Sequence, residues 1–167
     1  MAPIPEPVPG LVFRYDFLRP REAEGGVEHG KERPACILVR LLAGERLSGV
    51  RVLMEGGEFV IGDYVASAND FIILPIQSDP PSKLQLGVVL DVRTKAYIGL
   101  RDDRPSDVIV SEVKIDTWPN SGIQDAPGRP GRWSYDRPMP GPKLAEIAKA
   151  FRLLPEKRLV TAVVRAM

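Results

Sequence analysis

The chain has 167 residues, of which 44% are hydrophobic and 27% are charged, and its formal net charge at pH 7 is +1. This length and composition predict one domain with one good core, and the near-neutral charge excludes the bulk basic surface of a general nucleic-acid-binding domain. The chain has no run of about 18 apolar residues and no signal peptide at its start, so we expect a soluble, cytoplasmic protein without a membrane partner.

Two residue types that often carry chemistry occur once each. Cys36 lies in an apolar run, which excludes disulfides and cysteine-rich zinc sites and indicates a buried, inert thiol. His29 is the single histidine, which excludes a two-histidine acid-base pair and a histidine-cluster metal site. The standard phosphate-loop, dinucleotide, zinc-protease and serine-hydrolase motifs are absent. We therefore predict no metal and no cofactor.

The chain begins with a segment of different character. Residues 1–9 contain four prolines and predict a flexible arm, so that a single domain spans 10–167. The stretch "LVFRYDFL" at 11–18 alternates in hydrophobicity and predicts a half-buried strand, on whose open face Arg14 and Asp16 lie together.

The next elements are a loop, a central strand and a hairpin. Residues 19–32 are charged and glycine-rich and predict a mobile loop. "PACILVRLL" predicts a central strand, because its continuous apolar run suggests cover on both faces. The stretches 46–54 and 58–66 predict a hairpin, which forms an insertion at about 42–69.

Later segments complete a mainly β fold. Strands are predicted in 69–77, 83–90 and 106–118, the last with a bend near Glu112 or Lys114, and 94–100 predicts a short helical turn. Segment 119–142 predicts an excursion over the surface. We interpret Trp118 and Trp133 as residues that pin such loops to the barrel rather than stack on bases.

The C-terminal part contains the one long helical pattern. In "GPKLAEIAKAFRLLPEKR" the apolar residues repeat at helical spacing until Pro155. The closing "RLVTAVVRAM" predicts either an added strand or an interface element. Together the elements predict a small, strongly bent β-barrel with a C-terminal α-helix.

Polar residues at strand ends are the candidate site. Arg33 precedes the central strand, and Gln77 and Ser78 follow a later one, so the three converge if both strand ends meet at a barrel mouth. The alternative for Arg33 is a strand-end cation paired with Glu32 or Asp16. The alternative for Gln77 and Ser78 is a polar loop without a functional role.

The ordered segments "PGLVFRYDF", "GKERPACILV", "FIILPIQSDPP" and "VIVSEVKIDTWP" resemble the MazF/PemK/Kid toxin family, and most of all its longer bacterial branch of PemK-like growth inhibitors. The resemblance covers about residues 9–119. It implies a small SH3-like barrel of the CcdB/MazF type and a homodimer that cleaves single-stranded RNA without metal. It also implies a partner antitoxin, as in type II toxin–antitoxin systems.

The resemblance also implies roles for residues at matching positions. Arg33 falls on the catalytic arginine of the family, Gln77 falls where a catalytic Thr or Ser is expected, and Ser78 follows it. The residues that we assign to substrate binding are Arg14, Asp16, Lys31 and Glu112.

These roles fit an endoribonuclease in which the ribose 2′-OH attacks its own phosphate, since a guanidinium offers a rigid fork of donors to the phosphate oxygens. Gln77 departs from the family pattern, and an amide can orient a group but hardly move a proton. Three outcomes are open: Ser78 replaces the catalytic Thr or Ser, Gln77 only positions the substrate, or the barrel is an inactive RNA- or protein-binding module. A structural homodimer through "LVTAVV" is a third hypothesis.

Overall fold

The computed structural model describes residues 6–17, 31–47, 50–54, 64–100, 104–118, 123–124, 134–154 and 160–164. The strands in these ranges are β1 (Val12–Phe17), β2 (Lys31–Arg40), β3 (Arg46–Leu47), β4 (Val50–Met54), β5 (Tyr64–Val65), β6 (Asp70–Gln77), β7 (Gly87–Leu90), β8 (Ser106–Ile109), β9 (Glu112–Thr117), β10 (Ile123–Gln124) and β11 (Val160–Val164), and the helices are α1 (Val92–Ile98) and α2 (Gly141–Leu153). The prediction of a mainly β protein with a C-terminal helix is confirmed. In the described ranges, neither helix is long and apolar enough to span a membrane.

One large sheet organises the fold. Its strand order is β10-β1-β2-β6-β9-β11-β4, with β8 beside the end of β6 and β7 beside β8. Neighbouring strands are antiparallel, except that β11 is parallel to both β9 and β4. The described strands form an open path, whose two ends, β10 and β4, are not neighbours.

The sheet is strongly curved towards one face. The Tyr15 hydroxyl on β1 donates to the Asp116 carboxylate on β9, although β2 and β6 lie between these strands. Three strand spacings in a flat sheet would separate β1 and β9 by roughly 14 Å. Across the same gap Phe13 packs edge-on against Trp118 at 5.3 Å between ring centroids. The sheet therefore curls around an aromatic cluster that includes Trp118, whereas the loop after Trp118 and the residue Trp133 lie outside the described residues.

The central position of β2 is confirmed. It lies between β1 and β6, and its side chains enter two clusters, with Cys36 and Leu38 in the larger one and Ala35 and Ile37 in the aromatic one. The run is apolar throughout because both faces of the strand are covered. The predicted loop is wrong at its last two residues, since pairing with β1 continues to Lys31 and places the start of β2 there.

The alternation predicted for β1 is also confirmed. Leu11, Phe13, Tyr15 and Phe17 share the aromatic cluster, whereas Val12 enters the larger cluster. Arg14 and Asp16 are half-buried.

The predicted hairpin at 46–54 and 58–66 divides between two sheets. Its outer parts, β3 and β5, pair antiparallel in a two-stranded ribbon, but β4 joins the large sheet beside β11. Residues 55–63 lie outside the described part. Ala162, Val163 and Val164 on β11 are buried between β4 and β9. The hypothesis of an exposed interface at "LVTAVV" is therefore wrong, because this chain's own sheet covers the segment.

The helices and the late strand agree with their sequence patterns. In α2, Ile147 is buried and Leu144, Ala148 and Phe151 are partly buried against the larger cluster. The helix ends before Pro155. The late strand is divided into β8 and β9 by a bend at Val110 and Ser111, next to the predicted position.

We expect Ile147→Ala to lower the free energy of unfolding by about 2–5 kcal/mol, because a buried isoleucine loses transfer energy and leaves a cavity. The control is Leu153→Ala on the same helix, where the side chain is 52% exposed and the expected change is within about 0.5 kcal/mol. Urea denaturation measures both variants. Equal destabilisation of the two would contradict this packing of α2.

The buried thiol of Cys36 makes the free energy of unfolding fall as the pH becomes alkaline. Burial raises the pKa of its thiol from 9.0 to about 12. Above the unfolded-state pKa the unfolded chain loses the thiol proton while the folded chain keeps it, so stability falls as pH rises towards 12. We expect the wild type to lose up to about 1.4 kcal/mol per pH unit relative to Cys36→Ala in this range. Urea denaturation at a series of pH values checks this, and parallel pH profiles would contradict it.

Candidate functional site

A proline ends the hydrogen-bonded ladder between β2 and β6. The Ile37 N–H donates to Leu11 on the β1 side, so strand alternation turns the main-chain groups of Cys36 and residue 34 towards β6. The next bonded pair after Cys36 and Leu74 would need an N–H from Pro34, which has none. The register with β6 accordingly ends at the pair of Ala35 and Pro75.

Beyond this point the two strands separate. The start of β2 continues along β1, whereas the last two residues of β6 pair with β8. A cavity of about 310 Å³ lies at this opening. Its polar lining residues are Arg33 from β2, Gln77 at the end of β6 with Ser78 and Asp79 directly after it, Lys95 from α1, Arg104, and Ser106 from β8.

Arg33 is half-buried at the cavity wall. Its Nη1 donates to the main-chain oxygen of Phe17 over 2.6 Å, and this residue lies on the neighbouring strand β1. The bond fixes one edge of a planar guanidinium, whose donors form a rigid fork. Such a group is suited to hold the oxygens of a phosphate.

The Gln77 amide is engaged on both of its atoms. Its Nε2 donates to the Asp79 main-chain oxygen and to Gln85 Oε1, each over 3.0 Å, and its Oε1 accepts from Gln85 Nε2 over 3.3 Å. Gln85 Nε2 also donates to Glu112 Oε1 on β9 over 2.6 Å. Gln77 is only 7% exposed. The amide therefore ties the loop after β6 to β9.

Two hydroxyl groups and a carboxylate lie near this amide. Ser78 Oγ and Ser106 Oγ are 3.4 Å apart, with Ser78 exposed and Ser106 buried. Asp79 is exposed and lines the same wall. A hydroxyl can donate and accept, and an ionised carboxylate accepts only.

Helix α1 brings a buried cation to the cavity. Its N-cap is Asp91, whose carboxylate accepts from the Thr94 N–H over 2.7 Å, and this bond lowers the pKa of Asp91. Its C-cap is Gly99 at φ +104°, a left-handed conformation that favours glycine. Lys95, on this helix, is 1% exposed.

The cavity wall is rich in positive charge. Lys95 Nζ donates to the main-chain oxygen of Arg104 over 2.9 Å. Among the described residues, the charged groups that line the cavity are the cations Arg33, Lys95 and Arg104 and the carboxylate of Asp79, and the hydroxyl groups of Ser78 and Ser106 line it as well.

The structure brings together the three residues predicted as catalytic, Arg33, Gln77 and Ser78, in one cavity. Of the residues assigned to substrate binding, Glu112 contacts Gln85 rather than the cavity, and the side chain of Lys31 lies outside the described part.

Arg14 and Asp16 do not line the cavity either. Both are half-buried on β1. Asp16 Oδ1 is buried without a hydrogen-bond partner among the described residues.

Sequence reasoning missed four lining residues, Asp79, Lys95, Arg104 and Ser106. One signal was present for Lys95, which lies three residues before Ile98 and so occupies the apolar side of the predicted turn. For Arg104 and Ser106 the sequence carried no signal, because they reach the cavity only through the pairing of β8 with the end of β6.

The described residues contain no group of three or more side chains that could hold a metal ion. No protein-family model, curated protein or solved structure matches the chain.

The contacts of Gln85 predict a stability effect. We expect Gln85→Leu to lower the free energy of unfolding by about 1–3 kcal/mol, because it leaves polar groups of Gln77 and Glu112 without this partner. The neighbouring Leu84 is 91% exposed, and Leu84→Ala should change stability by no more than about 0.5 kcal/mol. Urea denaturation compares them, and a Gln85→Leu protein as stable as the control would refute the role of this network.

Proposed function

We propose that the protein is a metal-independent endoribonuclease of the toxin type, which cleaves single-stranded RNA by attack of a ribose 2′-OH on the adjacent phosphate. The observation that carries the proposal is the cavity in which Arg33 and the Ser78 hydroxyl lie together with two further cations. Its volume is at the lower end of the range of about 300–1,000 Å³ found for ligand sites, which suits a short stretch of RNA.

The chemistry of the reaction matches this set of side chains. As the 2′-oxygen attacks, negative charge gathers on the oxygens bound to phosphorus, and an arginine fork stabilises it without losing a proton. One such donor is typically worth about 3 kcal/mol of the barrier. Lys95 and Arg104 add positive charge to the lining of the same cavity.

The proposal includes the finer fold that the resemblance implies, an SH3-like barrel of the CcdB/MazF type. It is supported by the curling of the sheet, in which Tyr15 on β1 reaches Asp116 on β9, and by the change of β6 from β2 to β8 as its partner.

The proposal also includes a homodimer that acts in the cytoplasm and is neutralised by an antitoxin protein, as the toxin component of a type II toxin–antitoxin system. The proposal assigns the contact with a protein partner to the exposed apolar side chains of Leu84, Leu86 and Val89.

A second candidate is a binding module that keeps the cavity but does not cleave. The engagement of the Gln77 amide by Gln85 favours it, since Gln77 stands where the resemblance implies a catalytic hydroxyl. Such a protein would bind RNA or another protein through the same positive surface.

The test is incubation of the purified protein with mixed-sequence RNA in EDTA. We expect cleavage by the wild type and a loss of about 10²–10³-fold in rate for Arg33→Ala, the usual effect of removing one transition-state donor. Arg33→Lys, which keeps the charge but loses the fork, should remain impaired.

The matched control is Arg40→Ala, at the other end of β2 and exposed. It should cleave at the wild-type rate. Equal cleavage by Arg33→Ala and wild type would rule out this function, and saturable RNA binding without any cleavage would establish the binding module instead.

A further inference from the structure

The proposed reaction needs a group that accepts a proton. The 2′-OH must lose its proton as its oxygen attacks phosphorus, but arginine and protonated lysine side chains are donors only. A serine hydroxyl or a glutamine amide is a weak base. The single histidine, His29, lies outside the described residues. A carboxylate is a common type of general base, and one lies among the described residues of the cavity.

Asp79 supplies a carboxylate at the required place. It lines the cavity next to Ser78 and is exposed, so an RNA ribose can reach it. Among the described residues, the charged groups that line the cavity from other elements are the cations Arg33, Lys95 and Arg104. These cations are suited to bind the phosphate oxygens. The Asp79 carboxylate is then the group that can contact the ribose 2′-OH.

The Gln77 amide holds the main chain of Asp79. Its Nε2 donates to the Asp79 oxygen over 3.0 Å, while Gln85 binds the same amide and continues to Glu112 on β9. The loop that carries the carboxylate is thus joined to two strands of the sheet. A positioning residue can serve catalysis by holding the main chain of the residue that carries the reactive group.

We propose that Asp79 is the general base of the RNA cleavage reaction and that Gln77 positions it, an inference that rests on the proposed function. As the bond between the 2′-oxygen and phosphorus forms, the 2′-OH proton passes to the Asp79 carboxylate. The bond from phosphorus to the 5′-oxygen breaks, and this oxygen leaves with a proton from water. The products are a 2′,3′-cyclic phosphate and a 5′-hydroxyl end.

The first test compares Asp79→Asn with wild type on RNA and on the same RNA with 2′-O-methyl riboses, which binds but cannot react. We expect kcat for Asp79→Asn to fall by about 10²–10⁴-fold, the usual contribution of a general base, with unchanged Kd for the methylated RNA. Asp79→Glu should recover part of the rate.

The control Glu146→Gln makes the same chemical change on the exposed face of α2 and should keep the wild-type rate. Thermal unfolding of each variant verifies that it is folded.

The second test separates positioning from a general structural role. Gln77→Met should lower kcat in the wild type but cause no further loss in the Asp79→Asn protein, because it acts through the same carboxylate. A wild-type rate for Asp79→Asn, or equal effects of Gln77→Met in both backgrounds, would overturn the inference. Absence of cleavage by the wild type would instead remove the proposed function itself, and the inference with it.

Discussion

The N–H group that Pro34 lacks is the constraint on which the cavity depends. With an ordinary residue at this position, the ladder of β2 and β6 could continue by one more bonded pair, and the two strand ends would lie side by side. Beyond the pair of Ala35 and Pro75, β2 remains paired with β1, while the last two residues of β6 pair with β8. On β6, Pro75 also lacks a donor, but by the same alternation its main chain faces the edge of β6 that lies away from β2. The opening is therefore a consequence of backbone chemistry, and side chains only line it.

The rest of the sheet makes this opening rigid. All eight residues of β6 are buried, and β2 has apolar clusters on both of its faces. Close packing on both sides resists movement of the strands. The residues at the strand ends, such as Arg33 and Gln77, are therefore held in place. The loop after β6 gains the same rigidity through polar contacts, since Gln85 joins Gln77 to Glu112. A preorganised site needs such support behind the groups that contact a ligand.

Local patterns predicted the elements whose environment is simple. The alternation in β1, the continuous apolar run of β2 and the helical spacing in α2 each report which faces are covered, and burial in the structure follows them. The position of β11 was beyond such patterns, because a short apolar run does not specify whether it lies inside its own sheet or against a partner. Likewise Arg33, Gln77 and Ser78 could be placed at strand ends, but Lys95 and Arg104 join them through contacts between segments that are distant in the sequence.

The glutamine at position 77 separates two tasks that a single hydroxyl residue could combine. A threonine or serine can both contact the substrate and take part in proton transfer, whereas an amide contributes only fixed hydrogen bonds. In this chain the amide forms hydrogen bonds to the Asp79 main chain and to Gln85. The hydroxyl of Ser78 and the carboxylate of Asp79 follow in the next two positions. In the proposed reaction the functional groups are thus displaced by one and two residues along the loop, relative to the position that the resemblance implies. Such a displacement is tolerable only if the loop is held as firmly as a strand, which is what the bonds of Gln77 and Gln85 provide.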